Sequence, residues 1–202
     1  MQIALPDLDA PATLVLDPEN RLSDDEYFDF CMANPDLQVE RTAQGEIVIV
    51  PPAGGESDHR SADVTSQLKV WSKRDGRGHS FGCSAEFILP DGSALSPDAA
   101  WVSSERLAPL TKEQRRRFPP VVPEFVVEVM SPSDRLKAAQ LKMRQWMDNG
   151  VELGWLIDGD DRCVYVYSKG CEMRQVRDAS RIAGEGQVEG FVLDLTDIWE
   201  GL

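Results

Sequence analysis

The order of segments in this chain predicts an α/β domain with a mixed sheet at its centre. Three observations carry that reading. A capped helix comes first, a series of short strand-like runs follows, and an amphipathic helix separates the last apolar run from a terminal hairpin. Residues 1–21 are rich in Pro and Asp without a clear period and read as an N-terminal arm, which leaves 22–202 as a single domain.

Each element has a local cause. Ser23-Asp24-Asp25-Glu26 is a capping box, and the helix it starts should stop at Asn34, ahead of Pro35. Residues 37–42 and 46–50 flank Ala43-Gln44-Gly45, where the glycine permits a tight hairpin turn; that hairpin carries Glu40. Val64, Leu68 and Trp71 recur at helical spacing, predicting a helix over 58–73 that closes at Gly76 and Gly78. Short strands are expected at 79–83 and 86–89, then a Pro90-Asp91-Gly92 turn and a strand opened by Asp98. A polar excursion follows, with Thr111-Lys112-Glu113-Gln114 as a second capping box and Pro119-Pro120 as its stop. Residues 124–130 are apolar except for two glutamates and read as a strand. Ser131-Pro132-Ser133-Asp134 offers a cap for a helix over 134–149, stopped by Asn149-Gly150. A hairpin around Gly159-Asp160-Asp161 and a final strand with one helical turn complete the chain.

Composition restricts the function. The 202 residues include 35 acidic and 21 basic side chains, a net charge of -14, which disfavours long-range attraction of a polyanion. Nucleic-acid contact would have to be local, at Lys69, Lys73, Arg74 and Arg77, at Arg115–Arg117 or between Arg135 and Arg144. Solvated helix faces are the commoner fate of such clusters. Cys31, Cys83, Cys163 and Cys171 form no Cys-x-x-Cys pair, so a zinc site is not expected and reduced, mostly packed thiols are. No apolar run reaches membrane-spanning length and no secretion signal opens the chain; a cytoplasmic protein is expected. No Gly-x-Ser-x-Gly, His-Glu-x-x-His or phosphate-cradling glycine loop suggests another hydrolase class.

Two carboxylates stand out. Asp98 opens a strand, and Glu128 sits inside the apolar run Phe125-Val126-Val127-Glu128-Val129-Met130. A charge in mid-strand needs a cation, either a basic side chain or a metal, unless the strand is an edge and the glutamate points to solvent. Within 134–149, Ala138, Lys142 and Trp146 are four apart and share a face, which places Lys142 partly toward the sheet.

Ser96-Pro97-Asp98, Glu128-Val129-Met130-Ser131-Pro132-Ser133-Asp134, Lys142-Met143, Asn149-Gly150 and Trp155-Leu156-Ile157-Asp158, in this order, resemble the Uma family of putative restriction endonucleases. The resemblance extends from about residue 20 to 200 and takes in Pro51-Pro52, His59, Leu89-Pro90-Asp91-Gly92 and Gly190–Leu195. It implies the PD-(D/E)XK superfamily, with a restriction-endonuclease-like core of helix, three strands, helix and strand. It further implies Asp98 and Glu128 as ligands of Mg2+ or Mn2+, in a metal-dependent endonuclease that hydrolyses phosphodiester bonds of DNA. Met130 occupies the usual lysine position two residues after the second acid, and Lys142 is the migrated substitute. Glu40 matches a position the family keeps acidic and joins Lys142 as a catalytic candidate; His59 is a nucleic-acid-binding candidate. Glu86 stands where a small residue is expected, as an intruder or an added ligand. The alternative is a catalytically inactive nuclease-fold module that binds nucleic acid or protein. The apolar strand 163–167 and the prevalence of two-fold pairs predict a homodimer.

Overall fold

A computed structural model of the chain describes residues 12–15, 21–132 and 134–202. Most of the expected arm lies outside these residues, as does Ser133. Packing divides the chain into two units that alternate along the sequence. The first takes the residues up to Pro52, Glu86–Ser96 and Leu110–Val121; the second takes Ala53–Ala85, Pro97–Pro109 and Val122–Leu202.

In the first unit, helix α1 (Asp24–Ala33) starts from the expected capping box: Ser23 Oγ accepts the Glu26 N–H, and Glu26 Oε2 accepts the Ser23 N–H at 2.9 Å. Tyr27, Phe30 and Cys31 of this helix are buried together with Val39, Ile47, Ile49 and Ala94. Those residues belong to an antiparallel sheet of spatial order β1 (Ala12–Leu14), β3 (Ile47–Val50), β2 (Gln38–Arg41), β6 (Ala94–Leu95) and β5 (Phe87–Ile88). The β2–β3 hairpin turns through Gly45 at φ +83°, a conformation that glycine adopts without steric cost. Residues 12–14 of the expected arm form strand β1. Three residues are too few for alternation to show, and pairing with β3 is what makes them a strand.

In the second unit, the spatial order is β11 (Arg174–Arg177), β10 (Cys163–Ser168), β9 (Leu153–Asp158), β8 (Phe125–Val129), β7 (Ala99–Ser103) and β4 (Gly78–Gly82). Only β8 and β9 run parallel, and α4 (Leu136–Asp148) is the crossover between them. The sheet is therefore mixed, as the segment order predicts. Helix α2 (Gly55–Asp75) contributes Val64 and Leu68 to a core shared with Trp101, Phe125, Trp155 and Phe191. The small ribbon β12 (Arg181–Ala183) and β13 (Val192–Asp194) and helix α5 (Thr196–Glu200) add Ile182, Leu193 and Ile198 to it. Cys163 to Tyr167, the expected dimer surface, are buried within their own unit as the inner strand β10. A homodimer would need another surface.

Several boundaries move for stated reasons. Helix α2 starts three residues before the expected Asp58, because Glu56 reaches Arg60 one turn on and Ser57 is buried, which draws the glycine-led turn into the helix. It ends as expected at Gly76, φ +75°. Helix α4 begins at Leu136 without a side-chain cap; Asp134 Oδ2 instead accepts the Ser131 N–H at 2.7 Å, closing the turn before it. Thr111 and Gln114 exchange the expected capping-box bonds, yet only turns follow before Pro119-Pro120. The four-residue helix α3 (Ser104–Leu107) and the polar edge strand β11 carry no apolar period to reveal them.

Candidate active site

Strand β8 alternates. Phe125, Val127 and Val129 face the core shared with α2, so Glu128 faces the other side of the sheet, which α4 covers with Met143 and Trp146. β8 is an inner strand between β7 and β9, and Glu128 is buried, 9 % exposed; the edge-strand alternative for this residue is excluded. Two of its partners come from one helix. Lys142 Nζ stands 3.2 Å from Glu128 Oε1, and the Trp146 indole N–H donates to the same oxygen at 2.8 Å. Their spacing of four makes them neighbours on α4, as the sequence implies. The cation of the strand glutamate is thus a lysine.

Asp98 sits one residue before β7, and β7 pairs antiparallel with β8 through Ala99 and Val127. This register brings the Asp98 side chain to the end of β8. The Val129 N–H donates to Asp98 Oδ2 at 2.7 Å, the Ser61 hydroxyl donates to Oδ1 at 3.0 Å, and the Thr65 hydroxyl donates to the Asp98 carbonyl at 3.2 Å. Burial pushes the Asp98 carboxyl above the usual aspartate range, against the opposing pull of the Val129 N–H, Lys142 and Ser61; Asp134 adds a further small push upward.

The structure brings Asp98, Glu128 and Lys142 together. Glu40 belongs to the first unit, on β2, where its carboxylate accepts the Ser96 N–H at 3.1 Å. His59 is half-buried in α2, next to Arg60. Glu86 is buried in the first unit and accepts the Tyr27 hydroxyl at 2.6 Å. Arg60, beside His59, is buried and donates to Asp160 at 3.0 Å and to Glu56 at 2.8 Å. All four cysteines are free, with Cys31 and Cys163 buried and Cys83 and Cys171 exposed.

Sequence reasoning missed Ser61 and Thr65, whose link to Asp98 exists only once α2 docks on the sheet. It had Trp146 on the face of Lys142 but gave it no task.

The donors fit a hard cation in an open coordination sphere. Among the described residues, no three His, Cys, Asp or Glu side chains converge as a metal cluster. Mg2+ is commonly held by one or two carboxylates with water completing its octahedron, and Asp98 and Glu128 are two such donors. Among the described residues, no helix is long and apolar enough to cross a membrane.

The comparisons agree with this architecture. No curated protein matches the chain. A crystal structure of a putative nuclease belonging to DUF820 from Anabaena variabilis ATCC 29413, 17 % identical, superposes with a TM-score of 0.70 over 89 % of this chain and 98 % of that one. That likeness establishes the fold. The model of the Uma2 family, described as putative restriction endonuclease, matches residues 24–196. The chain belongs to the Uma2 family.

Proposed function

We propose that this protein is a PD-(D/E)XK-type endonuclease that hydrolyses phosphodiester bonds of DNA with Mg2+ or Mn2+. The observation that supports the reading best is the 3.2 Å pairing of Lys142 with Glu128, on the strand next to the one that Asp98 opens. Met130 leaves the usual lysine position empty of charge, and α4 returns a cation to the second acid from elsewhere in the sequence. Membership of a family described as "putative restriction endonuclease" supports the same class of substrate.

In this reading Asp98 and Glu128, with the Val129 carbonyl, would hold the cation. When bound, a divalent ion lowers the pKa of a water and neutralises charge on the scissile phosphate. The remaining tasks fall to side chains. Lys142, 29 % exposed, reaches a phosphate oxygen or the attacking water from the solvent side and stabilises the charge that grows during attack. Trp146 holds Glu128 in one orientation, so its oxygens need not reorganise during the reaction.

The test incubates plasmid, linear and single-stranded DNA with wild type, Glu128→Ala and Lys142→Ala, each with Mn2+ and with chelator. Cleavage by wild type alone, abolished by chelator, is the expected result. Wild type that binds DNA but cuts none of the three would establish the inactive binding module instead.

A further inference from the structure

The carboxylate of Asp98 is gripped by one hydroxyl from a helix that lies far from it in sequence. Ser61 is buried, and it approaches Asp98 Oδ1 at 3.0 Å while the Val129 N–H approaches Oδ2 at 2.7 Å. One donor on each oxygen fixes the plane of the carboxylate and leaves acceptor capacity on both oxygens. One turn further along α2, Thr65 fastens the Asp98 carbonyl at 3.2 Å, so backbone and side chain are tied to the same helix face.

Helix α2 is itself pinned beside Ser61. The neighbouring Arg60 guanidinium is buried, bonded to Glu56 on its own helix and to Asp160 in the β9–β10 turn. It lies against Gly159, where an added Cβ would fall 2.5 Å from Arg60 Cζ, so this glycine makes room for the arginine. The depth of α2 over the sheet is therefore set at Ser61, and the hydroxyl has little freedom to leave Asp98.

We propose that Ser61 is a positioning residue, whose hydroxyl orients the Asp98 carboxylate for a divalent cation. The proposal rests on reading Asp98 as a cation ligand. Partners that orient a metal ligand from outside the coordination sphere typically change metal affinity by about 10- to 100-fold when removed.

Calorimetric titration of Mn2+ into wild type, Ser61→Ala and Ser61→Thr tests it, with thermal midpoints recorded for each. Ser61→Ala should bind Mn2+ about 10- to 100-fold more weakly, and Ser61→Thr, which keeps the hydroxyl, should recover most of that loss. Equal affinity in wild type and Ser61→Ala, or equal loss in both variants, would overturn the proposal. Should the alanine variant not fold, Ser61→Cys keeps the volume, gives up the strong donor and carries the same comparison. Failure of wild type itself to bind Mn2+ would instead overturn the metal reading, and it is seen in a separate arm.

Discussion

Lys142 and Trp146, one helical turn apart on α4, converge on a single oxygen, Oε1 of Glu128. Two donors share that acceptor, but they do different things. The ammonium supplies charge, whereas the indole supplies direction.

Because the ammonium already compensates Glu128, it competes with any divalent cation for the same carboxylate. Lys142→Met should lose cleavage by about 100-fold while binding Mn2+ roughly threefold or more tightly. Calorimetry beside the plasmid assay checks this pair of opposite effects. Weaker Mn2+ binding by the variant would show that the lysine assists the ion rather than competing with it.

Trp146→Phe keeps most of the ring and removes the N–H. The indole is fully buried and its acceptor is a carboxylate, so the loss should cost about 1 to 3 kcal/mol of stability. Urea unfolding of the metal-free protein measures it. A midpoint equal to that of wild type would mean that Glu128 finds another donor.

Asp98 gives a pH signature in the metal-free protein. Its carboxyl titrates above the ordinary aspartate range in the fold, chiefly through burial, so folding favours the protonated form. Its contribution is fully present below the unfolded carboxyl's range and is lost as pH rises through the raised folded value. Asp98→Asn should therefore raise the thermal midpoint at neutral pH by a few degrees and flatten the decline, while abolishing Mn2+ binding. An asparagine satisfies both neighbours, since its oxygen accepts from Val129 and its amide donates to Ser61. Scanning calorimetry from acid to neutral pH reads the slope.

DNA binding should be weak and sensitive to salt, because the chain carries a net charge of -14. Lys137 and Arg144 are exposed on α4, the helix that also carries Lys142. If either touches a phosphate, its replacement by glutamine lowers the slope of log affinity against log salt by about 0.9. Fluorescence anisotropy of Lys142→Ala and its double variants in the presence of chelator, at several salt concentrations, supplies the measurement. Unchanged slopes would assign DNA contact to other basic residues.

Much of this was legible in the chain because its causes are local. The capping box at Ser23, the glycine turn at Gly45 and the stop at Gly76 act within a few residues, and each forms as the sequence dictates. The strand of Glu128 declared itself through an apolar run that only the glutamate interrupts, since an inner strand is buried on both faces. Lys142 and Trp146 declared themselves through helical spacing, because residues four apart share a face whatever the helix packs against.

Other features depend on contacts between distant segments, and no local pattern encodes them. β1 is a strand only because β3 offers it an edge, and Ser61 meets Asp98 only because α2 lies over the sheet. The parallel crossover from β8 to β9 carries α4 back across the face on which Glu128 lies, and that path decides that the lysine reaches the second acid. The same limit hides the partners of Glu40 and Glu86. Sequence marks them as acidic and unusual, but the first unit engages one with Ser96 and the other with Tyr27. Chemical type was written in the chain, whereas partnership was decided by tertiary packing, since a hydrogen bond between segments exists only after both have been brought into place.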